Sequence, residues 1–224
     1  IYQFIFSSSA TVYGIPQYLP YDEAHLTRPI NPYGQTKLLV ENILSNLVKS
    51  DKRWSIACLR YFNPVGAHPS YLIGELSNDQ PNNLMPYMVQ VAAKQRPFLT
   101  IFGNDYDTKD GTGERDYIHV MDLAEGHIAA LRHVQNNAGM EVINLGTGVS
   151  YSVLEMVRAF ESSTGQVVAT QIGGRRAGDL PVYFACADKA KILLHWEAKR
   201  PLRQMCESSW HFQLKHQSKR SKVN

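Results

Sequence analysis

The strongest constraint on the fold is an ordered trio of apolar patterns in the first 65 residues. IYQFIF is a short run of aromatic and β-branched residues closed by Ser7, Ser8 and Ser9, which suits a buried strand. After a polar, proline-bearing stretch, Leu39, Val40, Ile43, Leu44, Leu47 and Val48 recur at the spacing of one helix face, and Pro32 stands where a helix can begin. WSIACLRYF then reads as a second strand. Strand, helix, strand is the unit from which parallel sheets are built, so an α/β fold is expected.

The mixed pattern continues beyond a loop rich in Gly, Pro and Asn that follows residue 65. Helices are expected near 85–94 and 120–134, the second leaving His127 and His133 on its surface, and strands near 98–102 and around Tyr117. MEVINLG and VVATQI read as strands on either side of a helix SVLEMVRAFES, and DKAKILLHW and PLRQMCESSWHFQLK read as late helices. No internal repeat or low-complexity linker interrupts them.

Composition excludes several classes. With 44% hydrophobic and 19% charged residues the chain should fold as globular matter, and no apolar run approaches the roughly 20 residues of a membrane helix. The formal charge of +3 is small, and the one dense basic cluster, KHQSKRSK near the C-terminus, reads as a solvated tail rather than a nucleic-acid patch. Cys58, Cys186 and Cys206 fit neither a C-x-x-C site nor a disulfide framework, which points to a reducing, cytoplasmic compartment. The start lacks a signal-peptide pattern and an initiator methionine.

The chemistry centres on Tyr33 and Lys37, four apart and therefore on one helix face. In a parallel α/β sheet, ligands sit beyond the carboxyl ends of the strands. The serines close the first strand and Tyr61, Phe62 and Asn63 close the second, so both sets are expected at one crevice with Tyr33 between them. A phenol is a weak base at neutral pH, but an ammonium one turn away favours its ionised form, which gives the pair the logic of a tuned acid/base. Other candidates are bland. The GTG triplets at 111–113 and 146–148 do not complete G-x-G-x-x-G and read as turns. His211 and His216 miss the spacing of paired metal ligands, no metal site is expected, and Met85 and Met88 read as core.

Seven segments, SSSATVYG, PYGQTKLLVE, LRYFNPVGAHP, NNLMPY, IFGNDYDTKDGTGERDYIHVMDLAEGH, NLGTG and RRAGDLP, follow one another in an order and spacing that resembles the UDP-glucose 4-epimerases of the extended short-chain dehydrogenase/reductase family. The resemblance runs from Phe4 to about Trp210. It implies Tyr33 as catalytic tyrosine, Lys37 as the lysine that holds the nicotinamide ribose and supports the ionised tyrosine, and Ser9 as the partner of the reacting sugar hydroxyl. It implies a main-chain contact from Phe62 to the nicotinamide of NAD. Asn63, Asn83 and Leu84 would meet the nucleotide of a UDP-sugar, Ile101 and Phe102 the uracil, Arg115 and Arg176 the pyrophosphate, and Asp179 the uridine ribose. Tyr183 would stand beside the sugar's C2 substituent and leave little room for an N-acetyl group.

The same resemblance implies interconversion of UDP-galactose and UDP-glucose through a 4-keto sugar, and homodimers paired through helices that include the Tyr–Lys helix. Residues 1–65 would then be the C-terminal part of a Rossmann-like, doubly wound parallel sheet, 66–215 a smaller mixed α/β domain for the sugar nucleotide, and 216–224 a basic tail. Because no Gly-rich turn opens the chain, it is expected to be a C-terminal fragment lacking the N-terminal NAD-binding segment. The alternatives are a UDP-sugar-binding fragment without catalysis, or another sugar-nucleotide enzyme of the same fold. Dehydratases of the family typically place an Asp-Glu pair where Ala10 and Thr11 stand, which counts against that last alternative.

Overall fold

A computed structural model describes residues 1–76 and 81–220. Its centre is a parallel sheet of three strands in the order β1–β2–β6, formed by Gln3–Ser9, Ser55–Tyr61 and Gly139–Leu145. β2 is the middle strand and is buried along nearly its whole length, which explains why SIACLRY lacks polar alternation. Helix α1 (Pro32–Ser50) covers one face, with Leu44 and Val48 against Ile56 and Cys58. Helix α3 (Val120–Asn136) covers the other, with Leu123, Ala130 and Val134 packed among Ala57, Leu59, Ile143 and Leu145. Alternate residues of one strand thus feed two separate cores.

The rest of the chain builds a smaller mixed layer. β5 (Glu114–His119) pairs in parallel with β3 (Asn63–Val65) and β9 (Val182–Tyr183), and antiparallel with β7 (Ser150–Ser152). β4 (Leu99–Phe102) pairs with β8 (Thr170–Gly173). Helices α2 (Leu84–Ala92), α4 (Val153–Thr164) and α6 (Leu202–Arg220) enclose a core around Met88, Met156, Phe160 and Met205, and α5 (Asp188–Leu194) packs on the α3 side.

Several expectations need adjustment. Ser7, Ser8 and Ser9 belong to β1 itself, since all three continue its register opposite Leu59, Arg60 and Tyr61. The parallel sheet is not confined to the first 65 residues as a trailing remnant, because β6 returns from 139–145 to pair with β2 along seven residues. α6 carries through residues 216–220, where Lys, Gln and Arg are good helix formers, so the expected tail begins as helix; 221–224 lie outside the described residues. His127 is half-buried rather than on the surface, with its ring 5.6 Å from that of Tyr61. The short strands β3, β7 and β9 carry no sequence period of their own, having three residues or fewer.

Candidate active site

The register of the parallel sheet brings Ser9, Tyr61 and Leu145 level at the carboxyl ends of the three strands. Beyond that edge the chain makes one 3-10 turn, Ala10–Val12, for which Ser9 is the N-cap. The Ser9 oxygen accepts hydrogen bonds from the Thr11 backbone N–H at 3.2 Å and from the Thr11 hydroxyl at 2.9 Å. With both lone pairs engaged, its own O–H is left to donate.

Helix α1 enters against this turn. Asn31 caps it by accepting from the Gly34 N–H at 2.8 Å, and Pro32 takes the first helical position, where a missing N–H costs nothing. A Cβ on Gly34 would meet the Thr11 carbonyl oxygen at 2.7 Å, so only glycine lets the first turn of the helix come this close to the Ser9 turn. That approach presents Tyr33 at the sheet's mouth with 54% of its surface exposed. Lys37 lies over the Tyr33 ring at 5.5 Å and the Phe6 ring at 5.2 Å, and its ammonium donates to the Ser7 carbonyl at 2.8 Å. The helix and the strand edge therefore hold the cation at a set height beside the tyrosine. Phe62 follows β2; its N–H donates to the Leu145 carbonyl at 3.2 Å and its ring packs 5.2 Å from that of Tyr183.

Beneath the site runs a buried polar chain that sequence reasoning missed. Glu41, one turn after Lys37, accepts from the Ser8 hydroxyl at 2.5 Å and from the Arg60 Nε at 2.9 Å, with a second contact from the same guanidinium. Glu41 and Arg60 are 4% and 5% exposed. The Arg60 guanidinium lies 4.8 Å over the Tyr13 ring, and the Tyr13 hydroxyl donates to Asn144 Oδ1 at 2.6 Å. Burial pushes the Tyr13 phenol up to about 12, against the opposing pull of Arg60. Four segments, β1, α1, β2 and β6, are thereby tied together behind Tyr33.

A second concavity of about 410 Å³ opens in the smaller layer. Asn63, Asn83, Leu84, Ile101, Phe102, Arg115, Arg176 and Asp179 all line it. Asp179 pairs with Arg176 at 2.9 Å and with Arg115 at 3.8 Å, and the Arg176 guanidinium stacks over Phe102 at 4.6 Å. Two cations and an apolar ring on one wall suit a phosphorylated nucleoside. Ile101 is buried, whereas Phe102 is 40% exposed. Thr100, Tyr106 and Tyr117 also line the pocket; Tyr106 and Tyr117 fall within the segment IFGNDYDTKDGTGERDYIHVMDLAEGH, but nothing in the sequence assigns the three to a ligand.

Ser9, Tyr33, Lys37, Phe62 and Tyr183 lie outside that concavity, but the sheet connects the two regions. Asn63 follows Phe62 and pairs with Tyr117, and Tyr183 stands opposite Arg115 in the β5–β9 ladder. Tyr183 is buried against Tyr21 and Phe62, and its hydroxyl has no hydrogen-bond partner. The GTG triplet at 146–148 is a turn organised by Asp116, whose carboxylate accepts from Thr147 and from the Gly148 and Ala185 N–H groups. Asp110 does the same for Thr112 in the other triplet. Among the described residues, no three His, Cys, Asp or Glu side chains cluster so as to hold a metal ion. No described helix is long and apolar enough to cross a membrane, and the three cysteines are free.

A parallel sheet covered by helices on both faces, with a Tyr–Lys pair at its carboxyl edge and an arginine-lined pocket alongside, defines an α/β protein of the open parallel-sheet kind. The chain belongs to the NAD dependent epimerase/dehydratase family, whose model matches residues 1–146. It is 57% identical over 209 residues to a UDP-glucose 4-epimerase of Bacillus subtilis, a match that covers 93% of this chain and 62% of that protein. The crystal structure of a UDP-glucose 4-epimerase from Stenotrophomonas maltophila with bound NAD and formylated UDP-arabinopyranose superposes with a TM-score of 0.96 at 47% identity, covering 98% of this chain and 65% of that one. That of the Bifidobacterium longum enzyme in complex with NAD+ and UDP gives 0.92 at 47% identity, over 96% and 64%. The chain spans about 62% of the length of the curated relatives it matches.

These matches correct one expectation. The family model matches residues 1–146 and so takes in β6 as well as β1 and β2, and the structural match covers 98% of this chain through the parallel sheet and the smaller mixed layer, so the Rossmann-like part is not a remnant confined to residues 1–65.

Proposed function

We propose that the chain carries out UDP-glucose 4-epimerase chemistry, interconverting UDP-galactose and UDP-glucose with NAD as cofactor. The observation that carries this reading is the convergence of the Tyr33–Lys37 pair and the donor Ser9 at one sheet edge, next to a pocket lined by Arg115, Arg176 and Asp179. The relatives named above support it, since two of their structures hold NAD together with a uridine nucleotide.

The polar groups fit the nicotinamide end of a dinucleotide: an ammonium with two N–H groups left after its bond to the Ser7 carbonyl, a half-exposed phenol and the carbonyl side of the Phe62 backbone, whose N–H is held by Leu145, stand at the carboxyl end of a parallel sheet. Lys37 and Tyr33 would hold the ribose there, and the bound cofactor supplies the redox chemistry at the sugar's C4. Tyr33 takes the proton of the 4-hydroxyl and later returns it. Lys37 lies over the Tyr33 ring, anchored on the Ser7 carbonyl, and Ser9, its lone pairs engaged, donates to the same sugar oxygen. Arg115 and Arg176 exchange Asp179 for the diphosphate, leaving Asp179 to accept from the ribose. In this reading 1–65 supplies the catalytic edge, 66–215 the sugar-nucleotide pocket and β6, and 216–224 no part of the site.

Homodimers would pair through α1, where Leu39 and Ile43 are more than half exposed. The free cysteines agree with a cytoplasmic setting. Incubating the purified chain with NAD and UDP-galactose, and following UDP-glucose by chromatography, tests the proposal. Conversion is expected; UDP binding without conversion would leave a binding protein and overturn the enzymatic assignment.

A further inference from the structure

Among the described residues, three buried side-chain polar atoms lack a hydrogen-bond partner: the hydroxyls of Tyr106 and Tyr183 and the Nε2 of His216. Tyr106 is 7% exposed and lines the 410 Å³ pocket. Its ring is held on two sides. The Arg175 guanidinium, anchored by Asp105 at 2.7 Å, lies 4.2 Å above it, and Gly103 packs so near that a Cβ there would meet the ring at 2.7 Å. Gly103 also has φ +85, a conformation other residues rarely adopt. The loop is further closed by the Tyr106 N–H donating to the Gly111 carbonyl at 2.9 Å.

Burying a hydroxyl without a partner is unfavourable, and a fold that also immobilises the ring has a use for it in the liganded state. We infer that the Tyr106 hydroxyl hydrogen-bonds the nucleoside half of the bound nucleotide and is a further binding residue of this pocket. The inference rests on the nucleotide reading of the pocket given above. Arg115 and Arg176 already match the charge of a diphosphate, whereas a hydroxyl, both donor and acceptor, matches the uncharged polar edge of a base or a ribose. Tyr106 also sits in the loop that leaves β4, whose Phe102 supplies the pocket's exposed ring face.

The test is calorimetric titration of the full chain, wild type and Tyr106→Phe, with UMP and with UDP. The variant should weaken both by the same factor, roughly three- to tenfold, as for one lost hydrogen bond. Its unliganded thermal midpoint should be equal or higher, because an unpartnered buried hydroxyl has been removed. Unchanged affinity for both ligands would overturn the inference, as would a loss confined to UDP or one accompanied by a lower midpoint. Failure of the wild type to bind either nucleotide would remove the nucleotide reading and this inference together, a result distinct from binding that the substitution leaves unaltered.

Discussion

Tyr33, Lys37 and Ser9 occupy one edge of the sheet, and their spacing in the sequence is enough to suggest it: a Y-x-x-x-K at a helix start, with serines closing the preceding strand. The anchors of those residues are not legible in the same way. Lys37 is positioned by a backbone carbonyl at Ser7, and a carbonyl is the same in every residue. Two predictions belong to single residues. Tyr183 is buried, and under the proposed function it would be the steric limit beside the sugar's C2 substituent, so Tyr183→Ser should raise the use of UDP-N-acetylglucosamine relative to UDP-glucose by about tenfold or more in competition assays. An unchanged ratio would refute that placement. His119 caps α3, accepting from the Met121 N–H at 3.0 Å, and burial, reinforced by Arg200, lowers its pKa from 6.5 to about 4. The folded state therefore prefers neutral His119, and as pH falls through 6.5 the unfolded chain takes up a proton that the folded chain resists. Stability from this source is complete above about pH 6.5, declines down to about 4 and is level below it. Urea unfolding should show about 2 kcal/mol lost on this account between pH 7 and pH 5, and His119→Asn should show a smaller drop. An equal drop in the variant would assign the acid sensitivity elsewhere.

At the scale of elements, long periodic segments were legible and short ones were not. α1 and β2 announce themselves by period and length. β7 and β9 exist because β5 offers them a partner, a tertiary cause with no local signal. Glu41 shows the same limit: on an amphipathic helix an acid reads as a solvent position, but Arg60 on β2 draws it inward. Removing one partner of such a pair leaves the other charged and buried. Glu41→Gln should therefore destabilise by about 3 kcal/mol in urea unfolding, and adding Arg60→Met should recover much of the loss. Near-equal stability of wild type and single variant would mean that the pair does not anchor α1.

For the whole molecule, the sheet edge that carries Tyr33 and Lys37 and the pocket are joined through β5, which places Tyr117 beside Asn63 and Arg115 beside Tyr183. A ligand that bridges Arg115, Arg176 and the sheet edge stabilises both layers together. UDP at a hundred times its dissociation constant should add about 2.7 kcal/mol and raise the melting midpoint by roughly 5 °C or more in a single transition. A split transition, with only one part shifted, would show the layers to be uncoupled.

Under the proposed function Tyr33 is the proton acceptor of a site whose nucleotide affinity comes from elsewhere. Conversion of UDP-galactose and binding of UDP, compared between wild type and Tyr33→Phe with NAD supplied, separate the two roles. Turnover should fall by about a thousandfold or more in the variant, with UDP affinity within about twofold. Near-normal turnover in Tyr33→Phe would contradict that role.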